Sequence, residues 1–371
     1  MGSHEADSSR RVISGLAFDP DDARHSHALR CFGRQLAKLD AAIAASANEA
    51  PPEGSHLARP FLEQTAIGHR LYLAGGRTPL FMLQGLARLE IGTRKSPETF
   101  EKALRHIKRL EDELGEVDFW WTLFKRGAAW GLPAGVVNWA ESHHAHACGQ
   151  AEGWLEASDW IAHKGQPEEG TIRLRTNKLS RALVGESWST ARKAKNRLGK
   201  FLVEKLRKTH EAALELNMQD LEGGVHELRR KVRWFSIYAA ALEGALTLDR
   251  AAEAPASWDR YMAERVVTSP FNQLPAPPEG VDPLFIPAPL FYALSCFIAE
   301  LGDIKDAAQW TEAIEAGLKV TGEAGSPEQF LGEQTTSHEL AGQRAAAVVA
   351  QTIVADALLP RLADALEAQL G

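Results

Sequence analysis

The chain has 371 residues and only three cysteines, Cys31, Cys148 and Cys296, far apart and without a C-x-x-C spacing. That excludes a fully paired disulfide framework, and a reducing compartment is the simplest setting. No apolar stretch approaches the ~18 residues that a membrane span needs. The N-terminus, Met1-Gly2-Ser3-His4-Glu5, has no apolar segment behind its charges, so a cytoplasmic location without a membrane partner is expected. There is no excess of positive charge either: 42 Lys and Arg face 49 Asp and Glu, a formal net charge of −7. A uniformly basic protein is thereby excluded, and nucleic acid is not an expected partner. Neither a G-x-S-x-G elbow nor a P-loop occurs, so no enzyme activity is expected. No stretch sustains the period-two alternation of a surface strand.

What is present is helical periodicity on an ordinary globular composition, 44% hydrophobic and 25% charged, which is ample for a core and argues against disorder. Ser96-Pro97-Glu98 reads as a helix start, followed by Phe100, Ala103, Leu104, Ile107, Leu110 and Leu114 on one face and a stop at Gly115. Thr336 and Glu339 have the spacing of a capping box opening a C-terminal helix that Pro360 kinks or ends. The fold class is all-α. Residues 44–57 read as a linker, which makes 1–43 an N-terminal extension carrying one amphipathic helix, and 1–57 extension and linker together. Eight of the 18 prolines lie from Pro255 to Pro289, predicting a long extended connection. Seven of the ten tryptophans fall between Trp120 and Trp188; large rings at helical spacing are expected as core or inter-helix wedges.

The average charge conceals an asymmetry. From Thr171 to Arg233 there are 16 Lys and Arg against 7 Asp and Glu, leaving 26 basic and 42 acidic residues elsewhere. Within this basic middle, His226, Arg229, Arg230 and Arg233 fall in one arc of about 100° of a helix, while Val225, Leu228, Val232, Phe235 and Ala239 form a separate apolar arc. Grouped guanidinium ions and an imidazole raise one another's potential, so the stripe needs solvent, carboxylates or a polyanion to answer it. Arginine suits phosphate because its planar fork gives two parallel hydrogen bonds. A salt-bridged surface helix is the alternative reading of the same residues.

His226 with Arg at +3 and +7, preceded by the basic helix Leu206-Arg207-Lys208-Thr209-His210 and a Gly turn, resembles the second half of a CHAD domain. Leu301-Gly302-Asp303-Ile304-Lys305-Asp306 is similar to a second motif of that family. Leu114-Gly115-Glu116-Val117 with Asp118, and His69-Arg70-Leu71 through Arg77, are degenerate counterparts upstream, with Tyr72 and Gly76 where arginines belong and Pro79 nearby. Trp234 and Ser236 stand where further basic residues are usual. The resemblance implies two related antiparallel helical bundles with a cavity between them and binding of inorganic polyphosphate. The domain expected over 58–371 has a first bundle at about 58–124, an insertion at about 125–185 and a second bundle at about 186–371.

The resulting expectation is non-catalytic binding of inorganic polyphosphate or another phosphorylated anion in a basic groove. His226, Arg229, Arg230 and Arg233 are the principal ligands, Lys231, Lys205, Arg207 and Lys208 supporting charge, and Arg77 a contribution from the first half. Two alternatives come from other classes. One is a helical scaffold or protein-interaction domain that has lost the anion site. The other is a metal-binding protein, because Glu141, His144 and Cys148 share a helix face at +3 and +7 and can together hold Zn²⁺, with His163 as a further ligand if the Trp154 to Trp160 segment folds back. No cofactor is otherwise expected. His226-Glu227-Leu228-Arg229 also begins like a histidine-kinase phosphoacceptor box, but Arg230-Lys231 replace the Thr-Pro that should follow.

Overall fold

The computed structural model describes residues 15–47, 66–161 and 174–370. The expected linker lies outside these from residue 48 to 57, and so does His163. The fold is all-α, with two short parallel strands as the one addition among the described residues.

Helix α1 (His27–Ala47) buries Leu29, Phe32, Leu36, Leu39 and Ile43, the three-and-four spacing of a single apolar stripe. It packs on α2 (Ile67–Leu73) and α3 (Arg77–Thr93) and joins the main core. Residues 27–47 are therefore part of the body rather than of an extension. Between α2 and α3, Gly75 turns the chain at φ +75°, so the basic helix expected from His69 to Arg77 is two elements. Pro79 lies in the first turn of α3, where a missing N–H costs no intrahelical bond, and it opens a helix instead of disturbing one.

Helix α4 (Glu98–Ala129) runs straight through Gly115. A mid-helix glycine costs only about 1 kcal/mol, and burial of Leu110, Leu114 and Val117 on one face and of Leu123 on another outweighs it. The predicted Ser96 cap is also displaced: Pro97 is the N-cap, and its carbonyl accepts from the Phe100 and Glu101 N–H groups. Helix α5 (Ala134–Ala157) packs along α4 and α2, so much of the expected insertion is an integral layer. After α6 (Arg175–Val184) and the basic α7 (Ala191–Glu215), a π-helical turn, Leu221–His226, leads into α8 (Glu227–Ala241).

Strands β1 (Leu246–Asp249) and β2 (Leu284–Pro287) pair in parallel, Leu246 opposite Leu284. The Pro-rich stretch between them runs over the surface as short helical turns and extended chain, anchored by buried Trp258 and Tyr261. Helix α9 (Ala288–Thr321) follows directly and crosses α8 and α5.

Past α9, the capping box forms at Ser326 and Gln329, whereas Thr336 and Glu339 form none. Helix α10 (His338–Val349) is capped by Ser337, which accepts from the Leu340 N–H at 3.2 Å. The C-terminal break precedes Pro360, at Ala357 with φ +49°, and Pro360 sits in the first turn of α11 (Leu358–Glu367). The Pro327–Glu367 segment holds an 18-residue window of mean hydropathy 1.4, apolar enough by composition to cross a membrane. It is interrupted at Gly332 and Ala357, and its buried side chains pack on α9 and α7.

A second, smaller core lies where α4, α5 and α9 meet. Leu123, Val136, Ala140, Ile314 and Leu318 are its centre, walled by Trp120, Trp130, Trp139 and Trp310. Four of the clustered or distal tryptophans thus act as the inter-helix wedges their spacing predicts.

Candidate functional site

The entry to α8 is set by Gly223-Gly224. A Cβ on Gly224 would meet the Asn217 carbonyl oxygen at 2.1 Å, so only glycine lets the chain fold back there. Asp220 caps the turn by accepting from the Gly223 N–H at 2.8 Å. His226 closes it, with Nδ1 buried and without a hydrogen-bond partner among the described residues. Burial lowers the His226 pKa and Glu222 opposes this, while Lys305, Arg230 and Arg229 lower it further.

One turn on, Arg229 lies flat on Gly302 of α9. A Cβ at that glycine would stand 2.9 Å from Arg229 Nε, which donates to the Ile298 carbonyl at 3.2 Å. Arg77 crosses Gly115 of α4 in a comparable way, its Nη2 3.4 Å from where a Cβ would be. The two Leu-Gly pairs therefore do the same physical job, giving an arginine from another helix a close seat on the backbone. Arg233 stands over the Phe81 ring at 4.1 Å. Its pKa is pushed down to about 10, first by burial and then by Arg229 and Arg77, against the pull of Glu111.

The sequence-predicted cations divide into two groups. Arg77 is held by Glu111 at 2.7 Å and by Asp118. Arg230 and Lys231 are both engaged by Glu227, their neighbour one turn back. Arg207 pairs with Glu367 of α11 at 2.5 Å and Lys208 with Glu204 at 2.5 Å. Lys205 stands over Phe201 at 5.7 Å. Arg207 and Lys208 line a shallow groove toward α11, with Glu204, Glu211 and Glu367, and so are engaged away from the α8 stripe they were expected to support. His226, Arg229 and Arg233 have no carboxylate within ion-pair distance among the described residues.

Between α4 and α9, flanked by the Leu-Gly pairs, is an open cleft of about 860 Å³. Arg77, Arg126, Lys305 and Arg344 reach it, and so do Glu116, Asp118, Asp303, Asp306 and Glu333. The cleft is mixed in charge, and of the expected anion ligands only Arg77 lines it, the α8 stripe lying outside its lining. Phe119 and Trp310 stack across it at 5.2 Å and 6°. Sequence reasoning missed Arg126 and Arg344, which carry no local pattern; Lys305 was visible inside the Leu301-Gly302 motif without a role.

The metal candidates regroup. His144 and Cys148 do share a face of α5, but their third neighbour is His69 of α2, not Glu141, which is exposed and outside the cluster. His144 Nε2 lies 3.0 Å from His69 Nδ1 and 3.3 Å from Cys148 Sγ. Burial, His144 and Lys125 push the His69 pKa down to about 4, and burial with Glu152 pushes the Cys148 thiol up to about 11. No family model, curated protein or solved structure matches this chain.

Proposed function

We propose that this protein binds a short phosphorylated anion, polyphosphate or a related ligand, without catalysing its conversion. The principal contacts are Arg229, Arg233 and His226, with Lys305 and Arg77 beside them. One observation carries the reading: Arg229 and Arg233 are both half-buried and close enough to lower the affinity of Arg233 for its proton, yet among the described residues no carboxylate lies within ion-pair distance of either. Desolvated guanidinium groups without a paired counter-ion are unfavourable. A phosphate chain supplies what is lacking, charge and paired acceptors for planar forks. Resemblance to the CHAD family, carried by the His226 and Leu301-Gly302 motifs, points to the same ligand class. The acidic rim of the neighbouring cleft argues for a short ligand, since Asp303, Asp306 and Glu333 repel a long chain.

The experiment is calorimetric titration of the full chain with tripolyphosphate at two salt concentrations. Binding should weaken as salt rises, and Arg229→Gln/Arg233→Gln should weaken it at least tenfold. Arg207→Gln/Lys208→Gln should leave it unchanged. No salt-sensitive binding, or equal binding by the α8 double variant, overturns the proposal and favours the scaffold reading.

A further inference from the structure

We propose that His69, His144 and Cys148 form a binding site for a single divalent, borderline-soft transition-metal ion of the Zn²⁺ class, open to solvent at its fourth position. This site is independent of the anion site and rests on different residues.

The local fold brings the three together. Helices α2 and α5 cross at Gly68, where a Cβ would stand 2.8 Å from the Ala151 methyl and 3.0 Å from the Cys148 carbonyl oxygen. That close crossing sets His69, the next residue, against the Cys148 turn of α5. His144 and Cys148 are four residues apart and present their donors on one side of the helix. All three side chains thus project from packed helices, the arrangement that holds donor atoms in place before an ion arrives.

The donor atoms converge without enough protons to satisfy one another. His144 Nε2 faces both His69 Nδ1 at 3.0 Å and Cys148 Sγ at 3.3 Å, and the three atoms lie within 4.8 Å of one another. A neutral imidazole nitrogen either donates or accepts. If Nε2 carries its proton it serves His69 and turns that proton away from sulfur; if it does not, only one neighbour can donate to its single lone pair. For Nδ1 to offer its lone pair, the His69 proton sits on Nε2, which is buried and has no hydrogen-bond partner among the described residues, a cost that the metal–nitrogen bond offsets. A cation at the point of convergence satisfies all three at once.

Two of the three donor separations approach those around such a cation. With metal–nitrogen bonds of about 2.0–2.1 Å and metal–sulfur bonds of about 2.3 Å, tetrahedral neighbours stand roughly 3.3–3.6 Å apart. The two His144 separations, 3.0 and 3.3 Å, lie at or just below this range, and the third edge, between His69 and Cys148, reaches 4.8 Å, so binding requires these two side chains to rotate toward the ion while His144 moves slightly outward. Two imidazoles and one thiolate select borderline metals over Mg²⁺ or Ca²⁺, which take oxygen donors. His144 is half-buried and Glu141, one turn before it, is exposed, leaving water access on that side. Trp121 closes another, 4.3 Å from the His69 ring and 5.2 Å from His144. On binding, the Cys148 S–H proton leaves to solvent as the sulfur–metal bond forms, and the two imidazoles give lone pairs without losing protons.

The test is titration of the full-length protein with Co²⁺ alone, followed by displacement with Zn²⁺. One equivalent should produce a thiolate-to-cobalt charge-transfer band with d–d absorption of tetrahedral intensity, both erased by Zn²⁺. Cys148→Ser should abolish the charge-transfer band, and His144→Ala should weaken binding at least tenfold, while Glu141→Ala should change neither. Absence of any Co²⁺ spectrum with the folded wild-type chain overturns the proposal without reference to a variant. A charge-transfer band that survives Cys148→Ser overturns it as well.

Discussion

Arg77 and Arg233 sit in each other's field, yet their surroundings are opposite. Arg77 answers two carboxylates, Glu111 and Asp118, of which Glu111 is buried. Removing Arg77 strands both charges, and Arg77→Ala should cost about 2–4 kcal/mol of stability, read from urea denaturation. Arg233 feels Glu111 only beyond ion-pair distance, has no paired carboxylate among the described residues, and carries a depressed pKa of about 10. Replacing it with methionine keeps the contact with Phe81 and removes the desolvated charge, so Arg233→Met should stabilise the ligand-free protein by about 1 kcal/mol while weakening tripolyphosphate binding. A destabilised Arg233→Met protein would mean that the guanidinium belongs to the structure alone. The pairings behind this contrast could not be read from residue spacing: Glu227 was legible as a helix neighbour of Arg230 and Lys231, but Glu111 and Asp118 reach Arg77 from a different helix.

At the scale of the element, Gly302 decides whether Arg229 keeps its seat. Gly302→Ala gains helix propensity of up to about 1 kcal/mol but places a methyl group in contact with the guanidinium. Stability should stay within about 1 kcal/mol of wild type, and tripolyphosphate affinity should fall several-fold by calorimetry. Unchanged affinity would show that Arg229 does not need this seat to bind. Helix faces were legible here because burial follows spacing, as along Phe100, Ile107 and Leu114 of α4. Ends were less so. Ser96 and Ser326 open identical Ser-Pro-Glu triplets, yet only the second builds a capping box, because Gln329 reaches back to accept from the Ser326 N–H at 3.0 Å while Thr99 stands at the equivalent place. The strands escaped notice because four residues are too few to display alternation, and their pairing joins positions far apart in sequence. The metal cluster was half legible for the same reason: His144 and Cys148 share a helix, and His69 arrives from another.

For the whole molecule, the basic stretch from Thr171 to Arg233 is set in an acidic remainder, and the fold disperses it, sending Arg207 and Lys208 toward α11 and only part of it toward α9. Acid response is a property of this whole arrangement. Burial lowers the pKa values of His27, His106 and His226; His27 is held neutral while it bonds the Leu242 carbonyl at 2.6 Å, and His106 stands 3.2 Å from Arg175. Each therefore prefers its neutral form when folded, so the unfolded chain takes up protons first as pH falls below about 6.5. The stability they sustain is complete above that value and is lost as pH drops toward the folded-state values, by at most about 1.4 kcal/mol per pH unit for each group. Urea midpoints should accordingly fall between about pH 7 and about pH 5.5. A phosphate anion beside His226 favours the imidazolium, raising its pKa in the complex, so tripolyphosphate should protect the fold more at the lower pH than at the higher. Equal protection at both values would place the anion away from His226, and a midpoint that does not move with pH would mean that these histidines are not held neutral by the fold.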